Sequence, residues 1–493
     1  MHPFQYGRKL MSSFFDPLPW LVMLPLVWGT IAFMLGAGRG ARLAIVAIAL
    51  QLLLALKLAG QMLEDGARSY AVGGWGAPLG IDLAADGLAA AMMLLTQAVA
   101  LPLAVYARGY FAARSAGSAL FWPITGYLLA ALNALFLSAD LFNIYVTLEL
   151  LGLAAVGLVA IAGGKQPLAA AMRYLLATLL GSGAYLLGVA LIYGAYGSVS
   201  LEVLHPLVAA EAPLAVVLAA VLMLLGLLLK TALFPFHFWL PPAHGGAPAP
   251  VSALLSGLVV KASFYLVVRL WLELFAPLAT PAAAQLIGLL GGAAILWGSW
   301  HALTQTRLKM LVAYSTVAQI GYLFLLFPLA TPETAASAFQ GGVMQAMAHG
   351  LAKAAMFAAA GSMIVATGRD DISHLGGVGV QLPLTLFTFG MAGVTLMGLP
   401  PSAGFSAKWL LLMAAVESGQ WWWVMLMIGG GLLSAAYVFK VLRRAFLPVA
   451  EGDHVTPVPR VLEWSAFALA LAAVVLGLYG EPLLQLLMVG RMA

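Results

Sequence analysis

The chain has 493 residues, 63% of them hydrophobic and 8% charged, with a mean hydropathy of +1.01. Soluble domains carry about 25% charged residues, so this composition excludes a soluble globular protein and leaves no length for a large soluble domain. The net charge of +5 comes without a basic cluster on one face, which argues against nucleic acid as a partner. The absence of cysteine excludes disulfides, thiol catalysis and iron–sulfur ligation within the chain.

Apolar runs long enough to cross a bilayer fall near residues 19–37, 41–60, 84–107, 119–139, 141–163, 167–196 and 212–234. They continue at 247–273, 281–303, 309–328, 337–366, 383–400 with 403–416, 420–447 and 462–489. That is an all-α, polytopic membrane protein with fourteen transmembrane helices. The first run continues without a small-residue cleavage site, so it reads as a retained helix and not a cleaved signal. The longest polar stretch is a loop near 448–461. No histidine cluster has metal-ligand spacing and no glycine-rich phosphate loop follows a strand, so neither metal nor cofactor is expected on this chain.

Loop charge sets the expected orientation. Alternate loops on one side hold Arg39, Arg42, Arg108, Arg114, Lys165, Arg307, Lys309, Arg369, Lys440, Arg443, Arg444 and Arg460. The other side holds only Arg8, Lys9, Lys57, Arg68 and Arg491, a bias of twelve against five. By the positive-inside rule the first side is cytoplasmic and both termini face outward. This count also supports the number of spans, because one missed helix would mix the two sets.

Two of the spans are interrupted. One carries Phe234-Pro235 and then Leu240-Pro241-Pro242; the other carries Gly398-Leu399-Pro400-Pro401 followed by Gly404. Proline removes a backbone donor and clashes with the preceding turn. Such backbone is tolerated at membrane depth only inside protein or along a water-filled cavity. Two broken helices in corresponding positions of two halves are the pattern of repeat-built transporters.

Five ionisable groups lie inside these spans: Glu149, Lys230, Lys261, Lys353 and Lys408. Each costs roughly 2.5–3.5 kcal/mol at a helix centre on insertion scales, so five together predict a hydrophilic line along which charge moves. Glu149 is the one acid deep in a predicted helix, with Tyr145 one turn earlier. It either exchanges protons and tunes a nearby amine, or serves as a hydrogen-bonded structural carboxylate. Lys230, one turn before the first break, either titrates or caps carbonyls that the break frees. Lys261, Tyr265 and Arg269 form one stripe at a spacing of four, with Arg269 read as an interfacial anchor. Gln345, His349 and Lys353 form a second, in which amide, imidazole and amine relay a proton or simply bond neighbouring helices.

Lys408 follows the second break and is either a terminal proton carrier or a lysine snorkelling to the interface. His237 and His244 flank the first break as water gates or as structural histidines. Ser315, Gln319 and Tyr322 are expected to be helix-joining polar residues with no unique role, and Arg173 to be topological. Asp82, Asp86 and Asp140 read as interfacial helix-end acids on the outer side.

These residues carry a resemblance. The ordered set runs from Asp140-Leu-Phe-Asn-Ile-Tyr-Val-Thr-Leu-Glu149 through Lys230 with Pro235-Phe-His237-Phe-Trp-Leu-Pro241 to Ala247-Pro-Ala-Pro250-Val-Ser. It continues with Leu308-Lys309-Met-Leu-Val-Ala-Tyr-Ser315, His349-Gly-Leu-Ala-Lys353 and Gly398-Leu-Pro-Pro401-Ser-Ala-Gly-Phe405-Ser-Ala-Lys408. It resembles the antiporter-like membrane subunits of respiratory complex I, Mrp-type cation/proton antiporters and group 4 membrane hydrogenases, and is most similar to the D-type Mrp subunit.

The resemblance implies fourteen helices with two inverted five-helix repeats, each containing a broken helix. The divisions expected are an N-terminal part over 1–118, repeats over 119–273 and 274–447, and a loop with the last helix over 448–493. It implies that Glu149 pairs with Lys230, that Lys261 joins the halves, and that His349 and Lys353 lie on the axis. Lys408 would then connect to the opposite membrane face, with His237, Tyr265 and Gln345 in support. The function it implies is proton translocation in a multisubunit Na+ or K+/proton antiporter of the bacterial inner membrane. The alternative is a redox-driven pump such as NADH:quinone oxidoreductase or a membrane hydrogenase. The expected partners are other membrane subunits, protons, Na+ or K+, and the lipid bilayer.

Overall fold

In the computed structural model, residues 16–77, 80–112, 117–449, 451–452 and 454–490 are described. Arg8, Lys9, Arg114 and Arg491 of the charge count lie outside them. The helices are α1 (Pro17–Asp65), α2 (Gly87–Ala112), α3 (Ser118–Leu137), α4 (Leu141–Ala160) and α5 (Lys165–Tyr196). Next come α6 (Leu214–Thr231), α7 (Leu240–Gly246), α8 (Ala249–Leu274), α9 (Pro281–Thr304), α10 (Leu308–Leu329) and α11 (Ala335–Thr367). The chain continues through α12 (Pro383–Met397), α13 (Ala403–Glu417), α14 (Trp421–Ala445), α15 (Arg460–Leu478) and α16 (Glu481–Leu487).

Twelve of these segments are long and apolar enough to cross a bilayer, counting α6 with α7 as one. Two further crossings complete fourteen among the described residues. α1, at 49 residues, is far too long for one span. It bends at Gly36, whose φ of 71° is open to glycine without strain, and Gly40 then packs back on Ala32. The other crossing is shared by α12 and α13, each 15 residues long, on either side of the second break. Large apolar side chains such as Met34, Val46, Leu53, Leu180 and Met425 stand exposed on the outside of the bundle, which in this polytopic fold is the lipid-facing surface.

One element differs from the sequence reading. Residues 68–71 and 82–85, expected to be loop and helix start, pair antiparallel as β1 (Arg68–Ala71) and β2 (Asp82–Ala85) of a β-hairpin. Its strands are short, and β2 takes the first two residues, Ala84 and Ala85, of the apolar run expected over 84–107. Leu83 bridges to Ser138 and Asp140 to Ser200, so the loops after α3 and α5 gather on this hairpin face. On the opposite face Arg307 bridges to Asp371. The loops thus segregate into the same two sets that the charge count separates.

The helices carrying the polar stripes meet at the centre. α8 is buried along its whole apolar window, and α11 packs against it where Gly257 faces Gly350. A Cβ on Gly350 would stand 3.0 Å from the Gly257 carbonyl oxygen. That close approach brings Lys261 and Lys353, one turn further along each helix, into the same interior.

Candidate functional site

At the first break α6 ends with Ala232 in the left-handed region (φ 59°), and Phe236–Trp239 form a 3-10 turn before α7. The carbonyls freed there have partners other than Lys230. The indole of Trp239 donates to Leu229 O at 3.0 Å, and the Leu233 amide donates to Leu228 O at 3.2 Å. Trp239 is itself fixed by stacking on Tyr174, with centroids 4.2 Å apart. Lys230 is therefore released toward α4 and α5. Its ammonium donates to Thr178 Oγ1 at 2.6 Å and to Leu148 O at 3.4 Å, and lies 4.0 Å from Glu149 Oε1. Glu149 Oε1 has no hydrogen-bond partner in the protein. The pair is loose: two charges held apart at ion-pair range, not locked in a bidentate contact.

A cavity of about 10 Å³, lined by Lys230, Thr178, Trp239, Val259 and Ser263 among others, separates this pair from α8. That volume suits about one water. Beyond it the polar groups connect more closely. α8 opens into a wide π turn at Leu255–Val259, and the Lys261 ammonium folds back to donate to the Ser256 carbonyl inside it. The Ser256 and Thr316 hydroxyls share a 3.0 Å hydrogen bond, and Thr316 donates to Val312 O at 3.1 Å. Lys353 donates to the same Val312 carbonyl at 3.0 Å and also to the Ser315 hydroxyl. Lys261 and Lys353, both without solvent exposure, are thus joined through three α10 residues and Ser256.

His349 is one turn from Lys353, and neither of its ring nitrogens has a partner. It lies within the electrostatic reach of Lys261, Lys353 and Lys408. One more turn along α11, the Gln345 amide donates to Gln319 Oε1 at 3.1 Å. Gln319 donates to Leu396 O at 3.0 Å and to Ser434 Oγ at 3.2 Å.

Lys408 donates to that same Leu396 carbonyl at 2.6 Å and to Met397 O at 3.3 Å. Its ammonium stands 4.0 Å from the centre of the Tyr322 ring, and a hydrogen bond from the Tyr322 hydroxyl to Met427 O holds that ring in place. Lys408 therefore caps the second break from inside and does not snorkel to an interface.

Several residues have surroundings that sequence reasoning missed. Lys309, counted as a topological charge, is buried and donates to Ala247 O between α7 and α8. The motif gave no warning, because a lysine at a helix start looks like any other loop charge. His244 is fully interior, its ring tilted by 30° against Phe357 with centroids 5.0 Å apart, and within electrostatic reach of Lys309, Lys353 and Lys261. His237 is half-buried at the break, against Phe234 and Trp297. Arg269 is more than an anchor: it donates to Asp86 at 2.6 Å, to Glu273 at 3.1 Å and to the Tyr265 hydroxyl at 2.8 Å. Tyr265 in turn donates to Phe136 O, so this end of the α8 stripe closes on itself instead of joining Lys261. Ser315, Gln319 and Tyr322, expected to be interchangeable polar glue, each contact a different buried axis residue. Arg173 is exposed, in keeping with a topological charge. Among the described residues no group of three or more His, Cys, Asp or Glu is arranged to hold a metal ion.

The arrangement is a line of amines, hydroxyls, amides and one unpartnered imidazole, running between two broken helices through the middle of a membrane bundle. The family described as NADH:quinone oxidoreductase/Mrp antiporter, transmembrane, matches residues 138–434, which include every member of this line. The chain belongs to that family. The N subunit of NADH-quinone oxidoreductase from Desulforudis audaxviator is 33% identical over 87% of this chain and 88% of its own length. The D subunit of the Na+/H+ antiporter from Alkalihalophilus pseudofirmus is 28% identical over 86% of each. A chain in the Mrp complex of Dietzia sp. superposes with a TM-score of 0.87 over 96% of both chains at 25% identity. This member of the NADH:quinone oxidoreductase/Mrp antiporter family is accordingly a multi-pass membrane subunit of an antiporter-like or complex I-like proton-translocating assembly, with other membrane subunits as its partners.

Proposed function

We propose that the chain conducts protons in a multisubunit monovalent cation/proton antiporter of the bacterial inner membrane, exchanging H+ for Na+ or K+. The observation that carries the reading is Lys230 held 4.0 Å from Glu149 Oε1, an atom with no hydrogen-bond partner in the protein, beside a helix break whose carbonyls are capped by other groups. At an effective dielectric of about 20 such a pair attracts by roughly 4 kcal/mol. A proton arriving on Lys261 or Lys353 changes that attraction and the proton affinity of Lys230. Through His349 and Gln345 the change reaches Lys408, which exchanges its proton with the opposite face. We read the two breaks as matching points of two inverted five-helix repeats, over 119–273 and 274–447. The face rich in basic loops is read as cytoplasmic, with both termini outside.

The likeness to the Mrp complex chain over nearly its whole length supports the antiporter reading. The 33% identity to an N subunit of NADH-quinone oxidoreductase favours a second reading, in which the same axis serves a redox-driven pump. Purified intact complex in sealed vesicles separates them. The antiporter reading expects a preset pH gradient to collapse on adding Na+ or K+, with no electron donor present. Proton movement only with an electron donor and quinone would replace it by the second. If Glu149→Ala and Lys230→Ala complexes both transport as the parent does, proton conduction along this axis is wrong in either setting.

A further inference from the structure

The axis described so far gives Lys230 contact with Glu149 and the centre, but α5 carries a second set of polar groups leading from the same lysine toward the hairpin face. Thr178, which accepts from Lys230, is followed at i+4 by Ser182 and at i+7 by Tyr185, so the three share one face of α5. All three are buried. Ser182 donates to the Thr178 carbonyl at 2.9 Å. Tyr185 is fully interior, yet its hydroxyl has no hydrogen-bond partner in the protein. A buried hydroxyl without a protein partner is a site for water.

Tyr185 lies within electrostatic reach of Asp140, the N-cap of α4, whose carboxylate accepts from the Asn143 amide at 2.7 Å. Asp140 in turn lines a cavity of about 140 Å³ on the hairpin face, together with Asp82, Ser198 and Ser200. The polar groups on α5 therefore extend about two helical turns from Thr178, beside the first lysine of the axis, to Tyr185, and the acidic pocket meets α5 about two turns further on, at Tyr193.

We propose that Asp140, Tyr185, Ser182 and Thr178 form a proton path joining Lys230 to the hairpin face, separate from the connection that Lys408 provides. In each transfer the Tyr185 hydroxyl accepts a proton from one side as it releases its own to the other, so no net charge rests on the tyrosine. The path rests on the proton-conducting reading above, but its wetness is measurable without transport.

The chain has no native cysteine, so a thiol placed on the path is the sole target in this chain. In vesicles holding the assembled complex, Ser182→Cys is treated with a small membrane-impermeant methanethiosulfonate. Trp75→Cys on the exposed hairpin marks the face being probed, and Ala219→Cys, buried in α6, serves as a dry control. The path expects Ser182→Cys to react from the hairpin face about tenfold faster than Ala219→Cys. Equal rates at the two positions, no reaction at Ser182→Cys, or reaction only from the opposite face overturns it.

Tyr185→Phe keeps the ring and removes only the hydroxyl, so it tests the path even where a cysteine variant does not assemble. Its complex should carry about tenfold less proton flux at unchanged subunit content, and full flux overturns the path. Loss of labelling with Glu149→Ala still inactive defeats the path alone. Labelling retained with Glu149→Ala fully active defeats the conduction reading.

Discussion

The two broken helices use a lysine in opposite ways. At the first, Trp239 occupies Leu229 O, and Lys230 is free to face Glu149 and Thr178. At the second, Lys408 itself occupies Leu396 O and Met397 O, with no ion-pair partner among the described residues. The reason is position in the chain. Lys230 precedes its break and points across to neighbouring helices, whereas Lys408 follows its break and its side chain reaches back over the freed carbonyls. A cap that the fold supplies elsewhere leaves an amine available for charge coupling; an amine that must serve as the cap is tied to the break.

Replacing either member of the first pair should have the largest effect. Glu149→Gln or Lys230→Ala should lower proton-coupled transport by well over about tenfold, since each removes a charge from a partly buried pair. Subunit content on native gels should be unchanged, which would show that the pair is needed for coupling and not for assembly.

Lys408→Ala should differ in kind. It leaves Met397 O without its side-chain donor and Leu396 O with Gln319 alone, an expected cost of about 1–3 kcal/mol, so thermal stability of the complex should fall together with transport. A Lys408→Ala complex as stable as the parent would dissolve the distinction between the breaks.

Trp239→Phe tests it from the other side, because it keeps the ring on Tyr174 but removes the indole donor, leaving Leu229 O with the Ala232 amide alone at 3.1 Å. Transport should drop about fivefold as Lys230 is drawn to the lone-pair site the indole leaves, and an unaltered rate would show that Trp239 does not free the lysine. The smallest effect is expected for Tyr322→Leu, which removes the ring under Lys408. Loss of a cation–π contact worth about 0.5–2 kcal/mol should change transport a few-fold while leaving Gln319→Leu, which breaks the shared Leu396 contact, the more damaging variant.

The membrane class, the fourteen crossings, both breaks and the five charges within the spans, four of them buried, were legible in the sequence. A long apolar run, a proline inside it and a charge where lipid is expected are each local signals with large free-energy consequences. The residues that join those charges were not legible. Ser256 and Thr316 look like ordinary helix residues, and only a π turn in α8 and the close Gly257–Gly350 approach put their hydroxyls between two lysines. Lys309 read as a loop charge because sequence records distance from a helix end and not depth of burial.

Sequence by itself therefore determined which groups must be solvated by protein, since each carries its desolvation cost wherever it is placed in the bilayer. Tertiary structure alone decided which carbonyl, hydroxyl or carboxylate answers each one. Those partners come from helices tens of residues away, and their distances depend on packing that no local pattern encodes.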